Sequence, residues 1–221
     1  MAKKISLILL VLFLAVGCTR VENTSLDTLL NATLVDSTKL KNVYRAGYTY
    51  YVPKGMRVIT HESSNEILEQ ENNIYYMYVD RVSYYKGIKK DYKINTSAYY
   101  SRGIEHNDLF GYVEIKNTTN NKYFIEIMYN YAKIEVIVDK EEDTNKAITY
   151  AMSILNSISY QKQALDSLMS EDILKTNEVE HNIFESAETE SGYLKIVEEY
   201  GQYDDKEENV DPDFIRKKDG G

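Results

Sequence analysis

The chain has 221 residues, 26 of them lysine or arginine and 35 aspartate or glutamate, for a formal net charge of -9 at pH 7. That length suits one good-sized domain or a domain with an appendage, and the acidic balance argues against nucleic acid or anionic lipid headgroups as general electrostatic partners. The one cysteine, Cys18, excludes disulfides within the chain, and 21 tyrosines against five phenylalanines and no tryptophan point to a core whose aromatic volume is tyrosine.

Met1-Ala2-Lys3-Lys4 is basic and residues 5–16 are apolar apart from Ser6, the n-region and h-region of a secretory signal. A spanning helix takes about 20 apolar residues, and this run stops sooner, at Gly17-Cys18, so residues 1–17 read as a removable leader. Ala15-Val16-Gly17-Cys18 resembles the lipobox of bacterial lipoproteins, with alanine at position 15 where leucine is usual. The resemblance implies lipid on Cys18 and a place on the extracytoplasmic face of the cell membrane. Acyl chains, at ~0.8 kcal/mol per buried methylene, hold such a protein without a helix. The same Ala-Val-Gly also suits an ordinary signal peptidase, which would release a soluble chain. The position of the one cysteine favours the anchor, because a lone exported thiol invites intermolecular pairing.

Residues 18–40 read as a polar tether and a short helix, with Ser25 as its cap and Leu26, Leu29, Leu30 and Leu34 at helical spacing. Residues 48–52 are aromatic and β-branched, Pro53-Lys54-Gly55 is a turn, and residues 56–60 resume an extended pattern. Residues 74–82 are apolar on both alternating faces, which predicts a central strand. Residues 87–95 are basic and loop-like, and further strands are predicted at 98–104 and 112–116.

With a two-residue turn at Asn130-Tyr131, one hairpin face pairs Tyr123 with Val138, Ile125 with Val136 and Ile127 with Ile134. The other pairs Phe124 with Ile137, Glu126 with Glu135 and Met128 with Lys133. A slip of one residue would mix these faces, so the register is fixed. Glu141-Glu142-Asp143 reads as a link, and Thr144 as the cap of a helix to about residue 159 whose stripe is Ile148, Ala151, Met152, Leu155 and Ile158. A second amphipathic segment carries Leu165, Leu168, Met169 and Ile173, and a further helix is predicted over 192–200. From residue 201 the chain reads as an acidic mobile tail.

The order of these segments resembles the Mog1/PsbP-like fold, through Tyr50-Tyr51-Val52-Pro53-Lys54-Gly55 at the opening and Ile154-Leu155-Asn156-Ser157-Ile158 at the close. The resemblance implies an α+β class, an antiparallel sheet sandwiched by helices over residues 41–160, with a helical appendage over 161–200. The chain is also similar to uncharacterised Gram-positive lipoproteins that carry Gly47-Tyr48-Thr49-Tyr50-Tyr51-Val52-Pro53 and Tyr129-Asn130-Tyr131-Ala132-Lys133-Ile134-Glu135. Proteins of the Mog1/PsbP-like fold mostly bind other proteins, so the resemblance implies recognition or assembly, with an unidentified protein partner.

No motif calls for a catalytic residue, a cofactor or a metal. His61, His106 and His181 are far apart, and the acidic tail lacks the alternation of a calcium loop. Glu126 opposite Glu135 is the sharpest oddity, since like charges across a sheet repel. Such a pair can hold a cation or share a proton; the reading preferred here neutralises it with Lys133 and with Lys116 or Lys122. Tyr75, Tyr76 and Tyr78 head the densest aromatic cluster, with Tyr76 and Tyr78 on one strand face and Tyr75 on the other. The sequence thus points to a membrane-anchored, non-catalytic interaction module, with a small envelope hydrolase or glycan-modifying enzyme and a ligand-binding lipoprotein as the alternatives.

Overall fold

The computed structural model describes residues 24–35, 38–118 and 120–170. The leader, Cys18, the segment 192–200 and the acidic tail lie outside them.

The protein is α+β, built on a seven-stranded antiparallel sheet. In chain order its strands are β3 (Met56–Glu62), β4 (Asn65–Gln70), β5 (Asn73–Val79), β6 (Tyr100–His106), β7 (Leu109–Asn117), β8 (Tyr123–Tyr129) and β9 (Ala132–Val138). Across the sheet they run β3-β4-β5-β9-β8-β7-β6. A three-stranded sheet joins β1 (Val43–Arg45), β2 (Tyr48–Tyr50) and β10 (Ser159–Tyr160), in the order β1-β2-β10. The helices are α1 (Leu26–Val35), α2 (Arg81–Lys86), α3 (Glu141–Ser157) and α4 (Lys162–Ser170).

The hairpin β8–β9 has the register read from its sequence: Tyr123 opposite Val138, Ile125 opposite Val136, Glu126 opposite Glu135 and Ile127 opposite Ile134. Its turn places Asn130 at φ 52° and Tyr131 at φ 60°, the pair of left-handed residues that suits the twist of a hairpin. Asn130 tolerates this region through its short polar side chain, which donates to the Ile158 carbonyl at 3.1 Å. The Tyr131 ring is held edge-on by Tyr84 and Phe110.

Alternation puts Met77, Ile125, Ile127, Ile134, Val136 and Ile115 on one face, all fully or almost fully buried. That face is covered by α3, by α1 packed beside it, and by β2. Leu29, Leu30 and Leu34 of α1 enter the same core, as do Ile148, Ala151, Met152 and Leu155 of α3. Asn145 of α3 donates to the Thr24 carbonyl at 2.7 Å, and Asn156 donates to that of Thr33 at 2.9 Å, so polar clasps fix α1 along α3. Gly111 of β7 is required by close approach: a methyl there would fall on the carbonyl oxygen of Met128 in β8.

Several expectations are corrected. The strand over 74–82 ends at Val79, because Asp80 caps α2 by accepting from the Ser83 N–H at 2.8 Å. Strand β4 was not foreseen, since its inward positions are Glu66, Leu68 and Gln70, and two polar residues there hide the alternation. Helix α3 starts at Glu141, so Glu141, Glu142 and Asp143 form its first turn, where acidic groups favour the helix dipole. Thr144 is buried inside the helix and bonds the Glu141 carbonyl at 2.6 Å rather than capping. Among the described residues α3, with α1 beside it, covers one face of the large sheet, and segment 88–99 crosses the other.

Candidate functional site

The face opposite the core carries a row of carboxylates. Register alone sets it, because Glu114 of β7 lies opposite Glu126 of β8, which lies opposite Glu135 of β9. Tyr76 of β5 is next in the row, opposite Glu135, and Tyr78 stands opposite Lys133. Glu114 and Glu135 are buried, and the Glu126 side chain is 13 % exposed. Three carboxylates at adjacent positions repel, so each needs a partner.

Each finds one within the chain. Glu114 accepts from the Tyr92 hydroxyl at 2.7 Å and from the Asn95 amide at 3.2 Å, and pairs with Lys116 at 2.7 Å. Glu126 accepts from the Tyr112 hydroxyl at 2.5 Å, with Lys133 Nζ at 3.9 Å. Glu135 lies 2.7 Å from Lys133 Nζ. The expected salt ladder is therefore redistributed: Lys133 leans to Glu135 rather than to Glu126, Lys116 serves Glu114, and Lys122 pairs with Asp139 at 3.2 Å. The Tyr92 ring stacks on Tyr112 with centroids 4.1 Å apart, which roofs this end of the row.

The row separates its members electrostatically. Burial alone would raise the Glu114 carboxyl, but Lys116, Tyr92 and Asn95 together hold it below the usual carboxylate value. Burial pushes the Glu135 carboxyl up to about 8 against the pull of Lys133, and Glu126 adds to the rise. Glu135 therefore holds its proton to higher pH than Glu114 does. Neighbouring carboxyls driven apart in this way can hold a proton at a fixed place.

Of the aromatic candidates, the structure brings Tyr76 and Tyr78, both half-buried, to this row. Tyr75 points the other way, is fully buried, and has its hydroxyl pushed above its ordinary value chiefly by burial. Sequence reasoning missed Glu114, Tyr112, Tyr92 and Asn95. The signal for Glu114 was present: folding β7 back on β8 about the turn closed by the Thr118 N–H on the Lys122 carbonyl, at 2.8 Å, sets it opposite Glu126.

A second polar cluster, also missed, lies on the core side. The Glu66 side chain is fully buried and pairs with Arg45 at 2.9 and 3.2 Å. It also accepts from the hydroxyls of Tyr48 at 2.8 Å and Tyr50 at 2.5 Å. His61 Nδ1 is 3.8 Å from the same carboxylate. These bonds tie β1 and β2 to β4, so the cluster joins the two sheets. His106 is half-buried and lies 3.0 Å from the Asn107 side chain, away from both clusters. Among the described residues no three His, Cys, Asp or Glu side chains are grouped to hold a metal ion, and no helix is long and apolar enough to cross a membrane.

The fold and this row define an α+β protein with an antiparallel sheet and an internally neutralised acidic face. No family model matches the chain, and no solved structure matches it. Among curated proteins, the cell division protein DivIB of Clostridium tetani is 27% identical to it over 115 residues. That stretch is 48% of this chain and 43% of the relative, so the match spans less than half the length of the curated relative.

Proposed function

We propose that the chain is an extracytoplasmic module of the cell envelope, tethered through lipid on Cys18, which serves assembly in cell division by binding another protein rather than by catalysis. The observation that carries the non-catalytic part is the consumption of the acidic row by its own neighbours. Glu114, Glu126 and Glu135 are each engaged by a lysine or a tyrosine of the chain, which is how a structural ion network is built. Similarity to a cell division protein supports the cell-division role. The leader and the Ala15-Val16-Gly17-Cys18 pattern support the anchor.

On the same footing we assign the domain over residues 41–160 to the Mog1/PsbP-like type and the chain to the Gram-positive lipoproteins it resembles. The opening motif runs from β2 into the Pro53-Lys54-Gly55 turn, and the closing motif is the last turn of α3. A fold of this type supplies a platform and does not specify chemistry.

Two measurements test the reading. Cys18→Ala should move the protein from the membrane fraction to the soluble one after export when the membranes are washed in high salt; retention through that wash would remove the anchor. Cross-linking in dividing cells should join the lipidated chain to division proteins, and a cross-link profile indistinguishable from that of an unrelated lipoprotein would remove the assembly role.

A further inference from the structure

We propose that the strap formed by residues 86–94 is a contact surface for an anionic lipid bilayer. The chain as a whole is acidic, yet Lys86, Lys89, Lys90 and Lys93 fall within eight residues, with Asp91 the one acid among them. At physiological salt, charges farther away than about 8 Å are largely screened. A surface approaching the strap therefore meets its local positive sign rather than the global negative one.

Apolar exposure decides the class of partner. Ile88 is 49% exposed and Ile94 66%, and both are set among the lysines. Lysines alone would suit any polyanion. Ammonium groups interleaved with exposed isoleucines suit a bilayer interface, where the cations meet headgroup phosphates and the branched side chains reach the acyl boundary.

The strap is already ordered in a presenting position. Gly87, at φ 66°, ends α2 in the left-handed region, and the Ile88 N–H bonds the Ser83 carbonyl at 2.9 Å. Tyr92 is the pin: its ring lies on Tyr112, and its hydroxyl is within hydrogen-bond reach of Glu114 and Ser101. Lys89 sits 5.3 Å from the Phe110 ring centroid. Lys90 lies 3.8 Å from Asp80 with its side chain 61% exposed. A loop fixed before contact loses less entropy on binding than one that must be ordered by it.

This surface does not depend on lipid at Cys18, and its test uses a chain without that thiol. Full-length protein carrying Cys18→Ala and Ile94→Cys is labelled at position 94 with an environment-sensitive fluorophore. It is then reconstituted on phosphatidylcholine vesicles with or without phosphatidylglycerol. The expected result is a blue shift and quenching by acyl-brominated lipid on the anionic vesicles alone, reversed by high salt. Contact should fall roughly fivefold for each lysine changed to glutamine. The salt titration tests the charge dependence without altering the fold. The proposal is overturned if the label stays open to aqueous iodide on anionic vesicles, or if quenching is equal on neutral ones. Protection by soluble polyglutamate matching that by vesicles would also overturn it, making an acidic macromolecule the partner.

Discussion

Replacing Glu135 by glutamine should stabilise the protein in alkaline solution and flatten its pH dependence. The carboxyl titrates at about 8 in the fold against an ordinary 4.5, so between those values the folded state holds a proton that the unfolded chain has lost. Stability must then fall as pH rises through this window and level off above it. At 1.36 kcal/mol per pKa unit the complete linkage is about 5 kcal/mol. Between pH 5.5 and 8.5 the share is about 3 kcal/mol, and relaxation with water entry beside partly exposed Glu126 reduces it to about 2–3 kcal/mol. Glutamine keeps the shape and cannot ionise. Urea unfolding followed by circular dichroism at several pH values would give both curves, and their difference isolates this one group from the general charge of the chain. Parallel curves for the parent and Glu135→Gln would refute the reasoning.

The polar joint between the sheets gives a second expectation. Glu66→Leu leaves Arg45 and two tyrosine hydroxyls without their acceptor, and should cost about 3 kcal/mol, the low end for a broken buried pair because Arg45 reaches water. Tyr50→Phe removes one hydrogen bond to that carboxylate and should cost about 1.5–2 kcal/mol; equal losses for the two variants in urea unfolding would contradict the assignment of Glu66 as the hub. Glycine in the β6–β7 pair offers an internal control. Gly111→Ala meets the Met128 backbone and should cost about 3 kcal/mol or more, whereas Gly103→Ala meets nothing within 4 Å and should stay within about 0.5 kcal/mol.

Legibility in the sequence followed the periodicity of apolar side chains. The β8–β9 register could be read because both faces of that hairpin agree over seven pairs, and α1 because its leucines recur at helical spacing. Strand β4 was hidden for the opposite reason: its core-facing Glu66 and Gln70 are polar, Glu66 being made tolerable by partners far off in the chain such as Arg45 and Tyr48. The start of α3 was displaced because three consecutive acids look like a link, although at a helix N-terminus they are favourable.

The acidic row shows where local reading stops. The opposition of Glu126 and Glu135 follows from one hairpin, so it could be read. Its third member, Glu114, needed the next hairpin. Its roof needed a segment that crosses the sheet face and places Tyr92 on Tyr112, a contact with no local pattern. That roof also decides the character of the site. Lys133 lies against Glu135 at one end of the row and Lys116 pairs with Glu114 at the other, while Tyr112 and Tyr92 supply donors to Glu126 and Glu114. Removing the Tyr92 hydroxyl would leave Glu114 with Lys116 and Asn95, and the strap would still be held by the Tyr92–Tyr112 stack. Glu114 is therefore the member of the row that fastens the crossing segment to the sheet, through Tyr92 and through Asn95.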